Sequence, residues 1–177
     1  MGRVDIVVQN SSTGRIESLN HICTNVKVSS TLGATAASLT LDILNVPNVK
    51  FRLGDEILLS IDSVTFFAGR LFTIDNSGQH DIRSFTFYDY TRYLANSVLF
   101  NMAYPEKLSE VFKTICAEMK IPVGRVDDSL YLCAAATFDN HTCCDILTKL
   151  ADETLANANR QFIWRQRAGK MELVDIE

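Results

Sequence analysis

The chain has 177 residues and a mass of 19.8 kDa; 47% of its residues are hydrophobic and 21% are charged. This composition excludes a disordered or fibrous protein, and the chain is long enough to bury a core without disulfides or metals. The net charge is −4 and no three basic residues follow one another, so the basic patch of a nucleic-acid-binding protein is missing. The sequence also lacks an apolar run of ~20 residues and a signal peptide, so we expect a soluble protein made in the cytoplasm.

The first part of the chain has the pattern of short β-strands separated by turns. Apolar and polar residues alternate with the period of two that suits a strand with one buried face. This alternation predicts strands at residues 4–8, 26–28, 38–43, 56–61, 64–74 and 84–88. Gly69, inside the fifth of these strands, indicates a bulge or a close backbone approach. We therefore expect a small antiparallel barrel or sandwich.

From Asp89 onward the periodicity becomes that of helices. Asp89 is a candidate N-cap for a short helix at 90–94, and Pro105 is a candidate first residue of a helix of about 15 residues. The apolar side of this second helix comprises Leu108, Val111, Phe112, Ile115, Cys116 and Met119. We expect it to end before Ile121 and Pro122.

A further helix is predicted to begin near Thr142, where Asp145 forms a variant of the capping box. Its apolar face comprises Cys143, Ile146, Leu147, Leu150 and Leu155. Residues 162–164 and 171–174 then predict a hairpin around Ala168 and Gly169. The predicted fold class is α+β. An N-terminal antiparallel β-barrel domain spans 1–95, and a smaller α+β module with two helices and a terminal hairpin spans 96–177.

The five cysteines are Cys23, Cys116, Cys133, Cys143 and Cys144. Their odd number and irregular spacing argue against a disulfide framework. A zinc site formed by Cys133, His141, Cys143 and Cys144 is the alternative. However, no CxxC pair is present, and adjacent cysteines on a helix point about 100° apart. We therefore interpret the cysteines as structural thiols and predict no metal or cofactor.

Histidines, acidic pairs and aromatic residues provide no enzyme signature. His21, His80 and His141 lie near no nucleophile elbow, phosphate loop or zinc-binding helix motif. His141 and Cys143 are an alternative base and nucleophile, but residues two apart at a helix start rarely meet. The acidic pairs at 55–56 and 127–128 are expected to be solvated turn carboxylates. The strand aromatics are expected in the core: Phe66, Phe67, Phe72, Phe85 and Phe87. We predict no catalytic residues and no enzyme.

Several stretches, in one order, resemble the tail-hub proteins of contractile phages and of PBSX-type prophages. They are AASLTLDI at 36–43, LGDEILL at 53–59, FAGRL at 67–71 and FTFYDY at 85–90, continuing to Tyr93 and Leu94. The helix at 108–119 with the following 121–124, and the later helix with its hairpin, match the same pattern. The resemblance extends along essentially the whole chain.

The resemblance implies a structural protein whose N-terminal barrel is of the tail-tube or hub type. Such hubs are similar to the baseplate hub of contractile-tailed phages and assemble as homotrimers. Because each subunit has two barrels, the trimer forms a pseudo-sixfold ring. This ring lies between a hexameric tail tube and a threefold spike. The implied partners are the tube protein, the spike and other baseplate proteins, without specific nucleic-acid binding or membrane insertion. The implied location is the virion tail or baseplate, after assembly in the bacterial host cytoplasm. Related hubs occur in phage-derived bacteriocins.

Two other functions remain as alternatives. One is a fragment of a type VI secretion hub–spike protein, and the other is a cell-wall or carbohydrate-binding module whose exposed aromatics stack on sugars. For a hub, we expect the assembly surface at the strand 38–43 and the loop 75–81. Because hub proteins of this family are longer, we expect the chain to be a piece that lacks the second barrel.

Overall fold

The computed structural model describes residues 3–30, 36–46, 49–76 and 81–176. The chain divides into two compact units, Met1–Tyr90 (unit 1) and Thr91–Glu177 (unit 2). Strands predominate, and the helices of the described residues begin at Tyr90. The fold class is therefore α+β, as predicted.

Unit 1 is an antiparallel sheet of seven strands in the order β2-β1-β5-β6-β7-β4-β3. The strands are β1 (Val4–Gln9), β2 (Ile16–Ser18), β3 (Cys23–Ser29), β4 (Ser38–Leu44), β5 (Glu56–Ile61), β6 (Val64–Asp75) and β7 (Ile82–Tyr88). All six predicted strands are present. The additional strand, β2, has three residues and no buried side chain, so no apolar alternation marks it in the sequence.

The core of unit 1 lies on one face of this sheet. Its buried side chains are Ile6, Val8, Leu19, Leu39, Leu41, Ile43, Ile57, Leu59, Phe67, Leu71, Phe85 and Phe87. Within the described residues before Tyr90 no helix covers this face. The strands must therefore bury their apolar side chains against one another, which requires a curved sheet.

The predicted closed barrel is not observed, because no ladder among the described residues joins the two outer strands, β2 and β3. The residues between these strands hydrogen-bond among themselves. The N–H groups of Ile22 and Cys23 both donate to the Leu19 carbonyl, at 3.0 Å each. The chain therefore turns sharply between β2 and β3, and the sheet has two free edges.

Gly69 lies at a close backbone approach, as predicted, and the bulges of β6 lie elsewhere. A Cβ atom on Gly69 would lie 2.3 Å from the Tyr88 carbonyl oxygen, a distance that no side chain tolerates. The pairing register shifts at Phe66 on the β5 side and at Phe72 on the β7 side, so these two residues are the extra ones.

Unit 2 combines two helices with short strands and a 3-10 helix (Tyr90–Ala95) that begins at the unit boundary. The strands are β8 (Ser97–Met102), β9 (Glu106–Lys107), β10 (Val123–Val126), β11 (Leu132–Cys133), β12 (Ala136–Thr142), β13 (Phe162–Arg167) and β14 (Lys170–Asp175). The helices are α1 (Leu108–Glu118) and α2 (Cys143–Ala158). β10, β14 and β13 form one sheet, while β8 pairs with β12 and β9 pairs with β11.

The first long helix starts later than predicted. Pro105 is not its first residue, because Glu106 and Lys107 are extended and pair with Cys133 and Leu132. α1 therefore has 11 residues rather than about 15. Its predicted apolar stripe is confirmed for the buried residues Leu108, Val111, Phe112, Ile115 and Cys116. The packing of α1 thus follows the sequence pattern, although its start does not.

The second helix begins as predicted. Thr142 is its N-cap, its hydroxyl accepts the Asp145 N–H at 3.0 Å, and the Asp145 carboxylate accepts the Thr142 N–H at 3.1 Å. The predicted apolar face is buried except at Leu155, which is 40% exposed. The following hairpin is also present, with β13 and β14 joined at Ala168 and Gly169, both of which have positive φ.

Candidate functional site

The two free edges of the unit 1 sheet are its candidate assembly sites. Among the residues that the structure describes, no strand pairs with the outer side of β2 or of β3. β3 is the longer edge and is exposed along most of its length. Val26 pairs with the buried Leu41 but is itself 40% exposed. A further strand could therefore bond this edge and cover an apolar side chain.

An uncovered apolar row lies at one end of the same sheet. Val4, Ile61 and Val64 occupy paired positions on β1, β5 and β6, and they are 47%, 39% and 68% exposed. The tight turn beside them has positive φ at both Asp62 and Ser63, which fixes the geometry of the hairpin. Contiguous exposed apolar side chains of this kind are typical of contact surfaces.

Unit 2 also exposes large apolar side chains. Tyr104, Leu130 and Leu132 lie on or beside the paired strands β9 and β11, and each is more than half exposed. Leu130 has a φ of 59°, and its N–H donates to the Asp128 carboxylate at 3.0 Å. A leucine in the left-handed region is strained, and such strain is typical of functional positions.

The predicted assembly surface at 38–43 is not an edge of the sheet, and its role in assembly stays a prediction. These residues form β4, which lies between β3 and β7 and has hydrogen-bonded neighbours on both sides. Its alternate side chains, Leu39, Leu41 and Ile43, are buried in the core. Of the predicted loop at 75–81, residues 77–80 lie outside the described residues.

Asp55 is buried rather than solvated, which corrects the prediction for the acidic pair at 55–56. Its carboxylate accepts the Ser11 N–H at 2.9 Å, the Ser11 hydroxyl at 3.0 Å and the Arg52 N–H at 2.8 Å. Its neighbour Glu56 accepts a hydrogen bond from Arg70 at 2.9 Å. Ser11 is 44 residues away from Asp55 in the chain, so only the folded sheet reveals this contact. The Asp55 carboxylate organises one end of the sheet.

In the second acidic pair Asp127 is partly buried and Asp128 is exposed, and both carboxylates are ion-paired. Arg125 donates two hydrogen bonds to Asp127, at 2.7 and 2.9 Å, and Lys107 donates to Asp128 at 2.9 Å. These hydrogen bonds hold the pKa values of both carboxyl groups below their usual range. The pair lines an open cleft of about 590 Å³ whose other residues include Leu130, Arg160 and Asp175.

The cysteines are free thiols, and Cys116, Cys133 and Cys143 are buried. Burial raises the pKa of Cys116 to about 12 and that of Cys143 to about 11. These thiols therefore stay protonated near neutral pH, whereas only a thiolate acts as a nucleophile or a metal ligand. Burial at these positions is what the interpretation as structural thiols requires.

The alternative sites at His141 do not form. The His141 ring is exposed, and its Nδ1 lies 2.9 Å from the Asp139 carbonyl oxygen, whereas the Cys143 thiol is buried. Within the described parts of the chain, no three histidine, cysteine or acidic side chains come close enough to hold a metal ion. His21 is exposed, and His80 lies outside the described residues.

Three of the five strand aromatics lie in the core, as predicted: Phe67, Phe85 and Phe87. Phe72 packs edge-on against Tyr88, with ring centroids 5.4 Å apart. Phe66 is the most exposed of the five, at 61%, and it is the extra residue of a bulge.

In the described residues, no helix is long and apolar enough to span a membrane.

Solved structures share this fold at low sequence identity. The 43 kDa tail protein of prophage MuSo2 from Shewanella oneidensis is 15% identical with a TM-score of 0.71, and the match covers 97% of this chain and 55% of that protein. The tail protein from Neisseria meningitidis MC58 is 16% identical with a TM-score of 0.63, over 96% and 50% of the two chains. This chain therefore spans about half the length of these two proteins.

A chain of a PdpA–VgrG complex also has the fold, at 16% identity and a TM-score of 0.53, over 96% of this chain and 34% of that one. No curated protein matches the sequence. The family model described as YQBQ-like matches residues 26–177, which is most of the chain. The chain therefore belongs to the YQBQ-like family.

Proposed function

We propose that the chain is a structural component of a phage tail or of a related contractile injection machine. The observation that carries this proposal is the fold, which two tail proteins share over almost the whole chain. The free edges of β2 and β3 and the exposed apolar row support a role in assembly with other subunits.

Within such a machine we assign the chain to the baseplate hub of PBSX-type tails. The hub would be a homotrimer in the virion tail that joins the tail tube to the spike, and it would need no catalytic residue. Residues 1–95 would form the hub domain and 96–177 the α+β module. The second barrel would belong to a longer protein, since the matched tail proteins are about twice as long.

The open sheet is consistent with this assignment if neighbouring strands complete it. A sheet with two free edges can close into a barrel or ring only when another chain or another domain supplies strands to those edges. We therefore propose that the barrel of the hub forms on assembly, with β3 as the principal contact because it is the longer edge.

A second candidate is a hub–spike fragment of a type VI secretion system. The likeness to a chain of a PdpA–VgrG complex supports it, although that match covers only a third of the longer chain. A carbohydrate-binding module has less support, because most of the strand aromatics that would stack on sugars are buried.

The test is the assembly state of the full-length gene product. We expect its mass in solution to be that of a trimer and electron micrographs to show rings, and we expect it to capture the tube protein encoded beside it. A protein that stays monomeric at all concentrations and captures neither tube nor spike protein would contradict the proposal.

A further inference from the structure

The outer face of the three-stranded sheet in unit 2 is basic. Arg125 on β10, Arg165 and Arg167 on β13 and Lys170 on β14 are all exposed. We call these four residues the basic face. They stand out because the chain as a whole has a net charge of −4.

Strand register puts Arg165, Arg167 and Lys170 on the same face. Arg165 pairs with Glu172, and Arg167 pairs with Lys170. Because side chains alternate along a strand, these two pairs lie on the same side of β13 and β14. Arg165 Nε lies 3.3 Å from Glu172 Oε2. Arg125 lies on the neighbouring strand β10, next to Gly124, whose backbone packs against Lys170 and Glu172.

The opposite face of this sheet packs into the core of unit 2. Met171 and Leu173 alternate with Lys170 and Glu172 on β14 and are fully buried, so they belong to the core of unit 2. Gly124 allows β10 to lie close to β14, because a Cβ there would be 3.2 Å from Lys170 Cβ. The basic face is therefore held on a packed sheet, and within the described part of unit 2 no strand or helix covers it.

The charges of the basic face are only partly compensated. Asp127 binds Arg125, and Glu172, whose side chain is 14% exposed, binds Arg165. No ion pair is formed within the described residues by Arg167 or Lys170, which flank the hairpin turn. Two cations at the exposed end of the hairpin thus lack a counter-charge, and they attract anionic groups over about a Debye length, ~8 Å.

We propose that the basic face binds an acidic surface of a protein partner, which deepens the assembly role proposed above and rests on it. Strand spacing of ~4.8 Å and a repeat of ~6.8 Å between alternate residues give a face of about 10 by 7 Å. This area fits a few carboxylates. A nucleic-acid duplex requires a longer series of phosphate contacts than this area provides.

The test compares two variants with the same change of net charge. R167E/K170E reverses the two uncompensated cations, whereas K50E/R83E reverses two exposed cations of unit 1. Binding of a synthetic glutamate-rich peptide and of duplex DNA is measured by fluorescence anisotropy at low and at high salt. We expect the peptide to bind the wild type at low salt, R167E/K170E to weaken binding about tenfold or more, and K50E/R83E to change it little.

Three outcomes would overturn the proposal. The first is that the peptide does not bind at low salt, and the second is that K50E/R83E weakens binding as much as R167E/K170E does. The third is that DNA binds more tightly than the peptide and is lost in R167E/K170E, which would make the face a nucleic-acid site. If R167E/K170E enters tail particles as well as the wild type does, the proposed role of the basic face is wrong, but the proposed tail function is not affected. If the wild type itself does not enter tail particles, the proposed function is wrong.

Discussion

Replacing the buried Asp55 by alanine tests how the end of the unit 1 sheet is held. The substitution removes the acceptor of two backbone N–H groups, on Ser11 and Arg52, and of the Ser11 hydroxyl. Each buried polar group that loses its partner costs about 1–3 kcal/mol. The Ser11 hydroxyl can turn to water, and Ser11 and Arg52 are exposed, so we expect the lower half of the cost of the two backbone N–H groups, about 2–4 kcal/mol.

The assay must separate the two units. The single tryptophan, Trp164, is in unit 2, so its fluorescence reports that unit, whereas hydrogen exchange of β1 and β5 reports unit 1. We expect Asp55→Ala to increase exchange in β1 and β5 and to leave α1 and α2 unchanged. Asp55→Asn keeps one acceptor oxygen and should cost less. A change in the free energy of unfolding below about 0.5 kcal/mol would refute the assigned role of this carboxylate.

Further predictions follow from contacts at Gly69, in the capping box of α2 and at two buried cysteines. Gly69→Ala should lower the free energy of unfolding by about 3 kcal/mol or more, because its Cβ would overlap the Tyr88 carbonyl, and urea unfolding measures this loss. Thr142→Ala should cost about 1 kcal/mol and increase exchange in the first turn of α2, whereas Thr142→Ser should restore protection. The hydrogen bonds to Thr142 lower the pKa of Asp145 in the folded protein. The stability that the Asp145 carboxylate contributes is therefore fully present above its unfolded pKa of about 3.9, and it is lost as the pH falls through the folded pKa. Hydrogen exchange of the first turn of α2, measured as the pH is lowered, should show this loss. Native protein at neutral pH should not alkylate at Cys116 or Cys143, whereas urea should make both reactive, as peptide mass spectrometry would show.

Each of these predictions has an outcome that contradicts it. Full stability of Gly69→Ala would mean that β6 and β7 are further apart at this point. Equal protection from hydrogen exchange in Thr142→Ala and in the wild type would show that the capping box does not stabilise the start of α2. Rapid alkylation of either buried cysteine in the native protein would show that its thiol is accessible.

Local patterns in the sequence predict six of the seven strands of unit 1, the terminal hairpin, the apolar faces of both helices and the cap at Thr142. These features depend on residues close together in the chain, for which alternation and helical spacing are direct physical signals. Local patterns do not predict β2 or the short strands β8 to β12. The start of α1 could not be predicted in this way. Glu106 and Lys107 are extended because they pair with Leu132 and Cys133, which are far away in sequence.

The candidate site was predicted less well for the same reason. Whether a strand is an edge depends on sheet order, and the alternation in 38–43 is the same for an interior strand as for an edge strand. The burial of Asp55 depends on Ser11, which is 44 residues away in the chain. Such long-range pairings leave no periodic trace in the sequence.

The most direct test of the account is the composition of tail particles from the bacterium that encodes the chain. Particles should be purified after induction, analysed by mass spectrometry and labelled with an antibody against this chain for electron microscopy. The account predicts that the chain is present in stoichiometric amount and that the label lies at the baseplate end of the tail. Particles that are complete and infective or active but lack the chain would contradict it.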